Sequence, residues 1–162
     1  MTRGWRAMRA DDLPAVVAIA DAVHGGFTEP LAVYAERLAL YPAGCRVFEV
    51  ERAVAGLLVT HPWHEGAVPK IGALLGALPE AADIYYFHDI ALLPAARGTG
   101  AGTVAIAFVL AQAQAAGYRE IRLVAVNGAD SYWAAQGFNY ATPNADGPYG
   151  AGSFLMRRAV AV

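Results

Sequence analysis

Hydrophobic residues in the first quarter of the chain recur every three or four positions, as in amphipathic helices. The first such segment, LPAVVAIADAVH, follows Asp11 or Asp12 as the N-cap and ends near Gly25. The second, EPLAVYAERLALYPAG, is terminated by Pro42 and Gly44. Because a short strand-like segment precedes the first helix, we predict one strand and two helices before the main sheet. The predicted apolar face of the second helix is Leu31, Tyr34, Leu38 and Tyr41.

The middle of the chain contains branched and aromatic runs without helical spacing, which indicates strands. CRVFEVE and AVAGLLVTHPW flank a turn at Glu51 and Arg52, and we predict that they pair as an antiparallel hairpin. DIYYFHDIALLP, stopped by Pro94, has the apolar continuity of a central strand that is buried on both faces. For residues 64–83 we predict a loop that carries a short helix and is long enough to form a lid or a wall.

A β-α-β unit is predicted after the central strand. TVAIAFVLAQAQAAGY is typical of a helix that ends at Gly117, and EIRLVAVN of another buried strand. A crossover helix makes the two strands it joins parallel. A short helix and two strands complete a mixed α/β fold, which we predict to be a single domain spanning residues 1–162. The predicted apolar face of the crossover helix is Val104, Ala107, Phe108 and Ala111.

Composition restricts the partners and the compartment. Of the 162 residues, 57% are hydrophobic, which is enough for a continuous core, and a net charge of -2 without a basic run argues against nucleic acid as a partner. The N-terminal residues contain no apolar signal region and no stretch is long enough to span a bilayer, so we expect no membrane partner. The single Cys45 cannot form an internal disulfide, which favours a reducing cytoplasm, and we expect it to be a buried structural residue.

The sequence LLPAARGTGAG places three glycines at alternate positions between the central strand and the crossover helix. The first turn of a helix exposes backbone N–H groups, and the helix dipole adds positive charge there. Glycines would let a pyrophosphate approach these N–H groups, with Arg97 supplying further charge. The alternative is a tight turn that needs glycine only for its dihedral angles.

Two common nucleotide motifs do not fit this turn. A P-loop requires a lysine and a hydroxyl residue after its last glycine, whereas Gly102 is followed by Thr103 and Val104. A dinucleotide-binding fold requires the spacing G-x-G-x-x-G and an acidic residue after the next strand, whereas that strand ends in Asn127. A nucleotide-binding oxidoreductase is therefore the weakest of the hypotheses.

The turn, together with the elements around it, resembles the GNAT superfamily of acetyl-CoA-dependent N-acyltransferases. The family signature is Arg or Gln, two residues, Gly, one residue, and Gly or Ala, and residues 97–102 match it as RGTGAG. LVAVN, the aromatic pair YW, GF and the closing SFLMRR follow in the family order. The resemblance implies a mixed, mostly antiparallel sheet of six to seven strands, about four helices and a splayed central pair of parallel strands.

The resemblance also implies which residues hold acetyl-CoA. The pyrophosphate of coenzyme A would lie on the glycine turn, and the pantetheine arm would follow the backbone of the central strand. The implied cofactor contacts are Ile90, Ala91, Leu92, Arg97, Gly98, Thr99, Gly100, Ala101, Gly102, Asn127 and Trp133.

The implied chemistry is direct attack of a primary amine on the thioester, with a backbone N–H near Leu92 stabilising the oxyanion and a base accepting the proton. His88 and Asp89 are the candidate bases, and strand alternation predicts that at most one of them faces the cleft; a structural role is the alternative for each. Many relatives have a tyrosine as general acid four residues before the Gly-Phe pair, where this chain has Trp133. Tyr132 is the candidate substitute, although on a helix it would project about 100° away from its neighbour.

The acceptor is expected to be a small-molecule or peptide amine. Tyr34 and Trp63 are predicted to line its pocket, with core packing as the alternative role. No metal is expected at HPWHEG, because no further clustered Cys or His completes a site. A non-catalytic acyl-CoA-binding protein is the competing hypothesis, and an exposed terminal strand could pair two copies into a homodimer.

Overall fold

The computed structural model describes residues 2–142 and 145–161. The four helices in this part of the chain are α1 (Leu13–His24), α2 (Leu31–Leu40), α3 (Ala101–Ala115) and α4 (Asp130–Ala135). The seven strands are β1 (Arg3–Ala7), β2 (Cys45–Val50), β3 (Ala53–Trp63), β4 (Ile84–Leu92), β5 (Glu120–Ala125), β6 (Asn139–Tyr140) and β7 (Phe154–Ala159). No single helix among the described residues is long and apolar enough to cross a membrane; one pair of segments, 10–27 and 31–40, meets the length and composition criteria only jointly, across a 115° bend.

The seven strands form one sheet in the order β1-β2-β3-β4-β5-β7-β6. All neighbouring strands are antiparallel except β4 and β5, which are parallel because α3 crosses between them. The mixed, mostly antiparallel sheet with about four helices is therefore confirmed. The predicted hairpin is confirmed as well: β2 and β3 are joined at Glu51 and Arg52, both of which have positive φ angles.

The sheet has a hydrophobic core on each face, and alternate residues of its strands point into one or the other. On one face, Val16 of α1 and Tyr34 of α2 pack with Leu57 of β3. On the other face, Val109 of α3 packs with Leu58, and this second core also contains Tyr85, Phe87, Ile121 and Trp133. Because both faces are covered, the predicted central strand is buried along most of its length, as its continuous apolar sequence indicates.

The predicted face of α3 is wrong in register, and that of α2 is wrong at one residue. Leu31 at the start of α2 is exposed, whereas Tyr34 is buried and Leu38 and Tyr41 are partly buried against the cores, as predicted. The most buried residues of that helix are Val33, Tyr34 and Arg37. In α3, Val104 is 56% exposed and Ala107 and Ala111 also face solvent. The buried side of α3 is offset by about one residue from the predicted one and consists of Ala101, Ala105, Ile106, Val109 and Ala113. Since nearly every residue of α3 is apolar, its sequence carries little information about which side packs on the sheet.

A pair of substitutions distinguishes the two registers of α3. Val109→Ala should lower the free energy of unfolding by about 2 kcal/mol, because it removes two buried methyl groups and leaves a cavity. Val104→Ala, the same change on the exposed side, should alter it by less than about 0.5 kcal/mol. Urea denaturation of both variants measures the difference. Equal losses would mean that the helix presents a different face to the sheet.

The segment between β3 and β4 differs from the prediction. Residues 64–83 contain turns and irregular backbone, and no helix is present within this fully described segment. Glycines at Gly72 and Gly76 have positive φ angles, which break the helical spacing suggested by IGALLGALP. The loop is fastened to α2 instead, because the Glu36 carboxylate accepts hydrogen bonds from the backbone N–H groups of Leu75 and Gly76.

Candidate active site

The candidate site is the gap that opens between β4 and β5. The two strands are paired only at Tyr85 with Ile121 and at Tyr86 with Arg122. Beyond these pairs they separate, and a cavity of about 430 Å³ lies between them, which confirms the predicted splay of the parallel pair. The cavity follows β4 over about 16 Å of strand. Its two strand walls are residues 87–92 and 123–127.

One edge of β4 is left without a partner strand along this cavity. The N–H of Leu93 donates to the carbonyl oxygen of Ala55 on β3 at 2.8 Å. Because successive residues of a strand direct their N–H groups to opposite edges, those of Ile90 and Leu92 point away from β3 and into the gap. The carbonyl oxygen of Leu92, on the same edge, accepts a hydrogen bond from Arg97 Nε at 3.1 Å. The backbone therefore offers donors to an extended ligand at the positions predicted for the pantetheine arm.

The glycine turn closes one end of the cavity. Gly98 (φ 72°) and Gly100 (φ 85°) have left-handed backbone angles that favour glycine, and Gly100 directly precedes α3. The Thr99 hydroxyl accepts the first N–H of the helix, from Ala101, at 3.2 Å. The following N–H groups, including that of Gly102, have no acceptor within the helix and are available to an anion.

Most of the predicted cofactor residues lie around one cavity. Those that line it are Ile90, Ala91, Leu92, Arg97, Gly102, Asn127 and Trp133. Thr99, Gly100 and Ala101 line a second cavity of about 420 Å³ beside Trp5 and Arg46, and Gly98 is exposed on the turn. Gly102 thus faces the main cavity, whereas Thr99, Gly100 and Ala101, which precede it, face the second cavity.

A β-bulge lies at His88, in the part of β4 that carries the two candidate bases. Val59 of β3 pairs with Asp89, whereas the next residue, Thr60, pairs with Phe87. His88 is therefore the extra residue, and the regular alternation of side chains is interrupted. Both residues line the cavity, but the His88 side chain is only 2% exposed. The expectation that at most one of the two side chains faces the cleft is therefore not contradicted.

Asp89 is held by two side chains from the helices that cover the sheet. One carboxylate oxygen accepts a hydrogen bond from the hydroxyl of Tyr34 at 2.7 Å, and the other lies 2.5 Å from Nε2 of His24. Burial raises the pKa of the Asp89 carboxyl, but the hydrogen bond and charge of His24 and the Tyr34 hydroxyl outweigh burial and lower it below its usual range. Asp89 is therefore a carboxylate at neutral pH.

Tyr34 does not form the predicted wall of the acceptor pocket. Its side chain is fully buried, and its hydroxyl contacts Asp89 from beneath the cavity. Trp63 is also outside the cavity, because it pairs with Ile84 at the far end of β4 and donates its indole N–H to the Ala67 carbonyl. The side chains that do form a wall near His88 are Phe27, Ile71 and Tyr149. They come from three loops, so no sequence spacing links them.

A second carboxylate and histidine pair lies beside the first. Glu29 accepts a hydrogen bond from His88 Nε2 at 2.7 Å and another from the backbone N–H of Gly72 at 2.8 Å. Burial raises the pKa of the Glu29 carboxyl, but these hydrogen bonds and the charge of His88 bring it below its ordinary value. The side chains of Glu29 and His88 are only 6% and 2% exposed. No three His, Cys, Asp or Glu side chains converge as a metal site within the described ranges.

The aromatic pair on α4 is divided between core and cavity. Trp133 is buried and packs edge to face against Phe87 and Phe138. Tyr132 is 44% exposed and lines the cavity, and a Cβ placed on Gly102 would lie 3.0 Å from its hydroxyl oxygen. The phenol of Tyr132 therefore reaches the start of α3, although it projects from α4 in a different direction from Trp133.

The sequence analysis missed His24 and Glu29. His24 is the last residue of α1, and its carbonyl accepts a hydrogen bond from the Asn127 side chain at 3.1 Å, across the mouth of the gap. Neither residue is near the glycine turn or the central strand in sequence. A histidine directly before Gly25, where the helix ends with a φ of 60°, is the only local signal.

Comparisons with known proteins agree with this architecture. The chain superposes on the loading GNATL domain of CurA from Lyngbya majuscula with a TM-score of 0.80, at 14% identity over 99% of this chain and 98% of that one. The ribosomal-protein-S18-alanine N-acetyltransferase from Escherichia coli gives a TM-score of 0.69 at 15% identity, over 99% and 96% of the two chains. The GphF GNAT-like decarboxylase in complex with isobutyryl-CoA gives 0.73 at 18% identity, over 98% and 100%.

Sequence comparison identifies the family independently of the superpositions. No curated protein matches the sequence significantly. The profile of the Acetyltransferase (GNAT) family, however, matches residues 13–138, which includes α1, the glycine turn and the Gly-Phe pair. This match covers well over half of the 162 residues. The chain therefore belongs to the GNAT acetyltransferase family.

Proposed function

We propose that the protein transfers the acetyl group of acetyl-CoA to a primary amine in a ternary complex. The observation that carries the proposal is the splayed gap, in which Ile90 and Leu92 direct free backbone N–H groups toward a cavity that ends at the glycine turn. An extended amide-containing arm with a pyrophosphate at one end matches this arrangement of donors. The relative GphF, solved with isobutyryl-CoA, has the same fold, which supports an acyl-CoA in this position.

The acceptor amine would enter at the His88 end of the cavity. Phe27, Ile71 and Tyr149 make this end largely apolar. The two carboxylates found there, Glu29 and Asp89, are already paired with histidines. We therefore propose an amine attached to an apolar group, in a small molecule or at a peptide N-terminus.

Calorimetric titration tests the cofactor assignment directly. Acetyl-CoA and CoA should bind, whereas NADH and ATP, tested as controls at the same concentrations, should not. A panel of primary amines, with thiol release as the signal, then tests transfer. Failure of both CoA species to bind would mean that the glycines are needed only for the dihedral angles of the turn and do not form an anion site.

Tyr132 is proposed as the general acid that protonates the departing CoA thiolate. Burial raises the pKa of its phenol, so the group is protonated at neutral pH and can donate. Tyr132→Phe should lower kcat about 100-fold and leave the affinity for acetyl-CoA unchanged, because only the hydroxyl is lost. Steady-state kinetics with the best amine of the panel measures the effect.

The matched control for this substitution is Tyr140→Phe. The Tyr140 hydroxyl donates to Asp130 at 2.6 Å, outside the cavity, so its loss should leave kcat unchanged. An unchanged kcat in Tyr132→Phe would show that the thiolate leaves without a proton from this group.

A non-catalytic acyl-CoA-binding protein is the second candidate. It is favoured by Trp133, which occupies the position where relatives of this family often carry a tyrosine and is packed into the core. Tight binding of acetyl-CoA without thiol release across the whole amine panel would establish this candidate and reject the transferase.

A further inference from the structure

We propose that His24 is the general base of this site, oriented by Asp89. The inference rests on the proposed acetyl transfer and assigns the proton acceptor for that reaction. Four groups that line the gap could take a proton from the amine: Asp89, Glu29, His88 and His24. Their hydrogen bonds and their access to the cavity separate them. Glu29 is excluded because both of its oxygens already accept hydrogen bonds, one from His88 and one from the backbone N–H of Gly72.

Asp89 is unsuited to the role because both of its oxygens are engaged. Tyr34 donates to one and His24 to the other, and the side chain is 7% exposed. Taking a proton from a substrate would require breaking one of these bonds in a buried place, which is costly. The carboxylate is therefore placed to orient its partners.

His88 is closed off from a substrate in a different way. Its Nε2 is bonded to Glu29, and its Nδ1 has no hydrogen-bond partner among the described residues and no contact with solvent. Its side chain is 2% exposed, so the cavity meets mainly the backbone of the bulge at this residue. Neither ring nitrogen can receive a proton from an amine in the gap without rearrangement.

His24 has the required access. Its side chain is 17% exposed, lines the cavity and is fixed from behind by Asp89. A carboxylate can only accept a hydrogen bond, so Nε2 carries the proton and Nδ1 holds the free lone pair when the ring is neutral. The hydrogen bond from Asn127 to the His24 carbonyl holds the end of α1 at the mouth of the gap. Tyr34, Asp89 and His24 thus form a chain that ends in an accessible base.

The proposed step balances without another reactant. The amine nitrogen attacks the thioester carbonyl carbon, the new C–N bond forms and the C–S bond breaks. His24 Nδ1 takes the proton from the amine nitrogen, directly or through a water, and the Tyr132 hydroxyl gives a proton to the leaving thiolate. The resulting imidazolium is stabilised by the Asp89 carboxylate.

The neighbouring charges give the reaction a defined pH dependence. Burial lowers the pKa of His24, but the hydrogen bond and charge of Asp89, together with Glu29, outweigh burial and raise it above the ordinary value. The remaining titratable groups of the cluster are Tyr34 on α2, which donates to Asp89, and His88 on β4, which is hydrogen-bonded to Glu29. A base acts only when unprotonated, so kcat/KM should rise with pH through a midpoint above about 6.5. Asp89→Asn should move this midpoint to lower pH.

The test is His24→Ala with chemical rescue. Its kcat should fall about 100-fold or more at pH 7.5, the low-pH limb should disappear, and acetyl-CoA affinity should remain. Added imidazole should restore part of the activity, which a purely structural role would not allow. His64→Ala is the matched control, because His64 stacks on Trp63 outside the cavity and should leave kcat unchanged.

The outcomes separate this inference from the function on which it rests. If the wild-type protein releases no thiol with any amine, the proposed acetyl transfer is wrong and the base assignment is rejected with it. If the wild type is active and His24→Ala keeps its kcat and pH profile, the transferase stands and His24 is not the base. A loss confined to His88→Ala, with His24→Ala active, would assign the base to His88.

Discussion

Glutamate at Gly102 should weaken acetyl-CoA binding about 100-fold, which is about 2.7 kcal/mol. Gly102 lies in the first turn of α3 and lines the main cavity. A Cβ at this position would point toward the Tyr132 hydroxyl, so a longer side chain must enter the space between the helix and α4. There it would cover the free N–H groups and place a negative charge where the pyrophosphate is proposed to lie. Calorimetric titration of the variant measures the loss.

Two further variants separate the causes of that loss. Gly102→Ala adds only a methyl group and should weaken binding much less. Ala107→Glu adds the same charge to an exposed position of the same helix and should leave the affinity unchanged. Undiminished affinity in Gly102→Glu would overturn the assignment of the anion site to the start of α3.

Alanine at Gly44 should lower the free energy of unfolding by about 3 kcal/mol, near the upper end for overpacked sites. A Cβ there would overlap the backbone carbonyl oxygen of Thr60 and lie 2.8 Å from the Thr60 hydroxyl oxygen. Thr60 cannot move away easily, because its hydroxyl is hydrogen-bonded to the Gly44 carbonyl oxygen at 3.0 Å and to the Tyr85 hydroxyl at 2.8 Å. For a chain of this length the melting temperature should fall by about 6–12 °C.

The control for Gly44→Ala is the same substitution at Gly4. Gly4 lies in β1, and no heavy atom lies within 4 Å of the place its Cβ would occupy. In calorimetric scans, the melting temperature of Gly44→Ala should therefore lie below that of Gly4→Ala by most of the expected difference of about 6–12 °C. Similar melting temperatures for both would mean that β3 and the segment before β2 are less closely packed than described.

The order of elements could be predicted because each is encoded by neighbouring residues. The Glu51 and Arg52 turn, the apolar continuity of β4 and the glycines before α3 each predicted a feature that the structure contains. The orientation of α3 could not be predicted in this way, since an almost uniformly apolar helix can pack through several faces. Only the shape of the sheet selects the side that contains Val109.

The site was predictable only in part for a related reason. Its anion-binding turn is local in sequence, whereas the polar cluster is assembled from distant segments. His24 and Asp89 are hydrogen-bonded to each other although they lie 65 positions apart in the sequence. The bulge at His88 depends on how β4 aligns with β3, a pairing that no short window of sequence contains.

That bulge also determines which changes in chain length β4 can accept. The extra residue at His88 shifts the alternation of side chains along β4. Phe87 therefore packs in the core beneath α3, while Asp89 and the residues after it line the cavity. Removing a single residue between Phe87 and Leu92 would exchange the two faces of the strand's second half, whereas replacing a side chain would leave its neighbours in place. We therefore expect β4 to diverge among related sequences by substitution, with insertions and deletions confined to the loops at its ends.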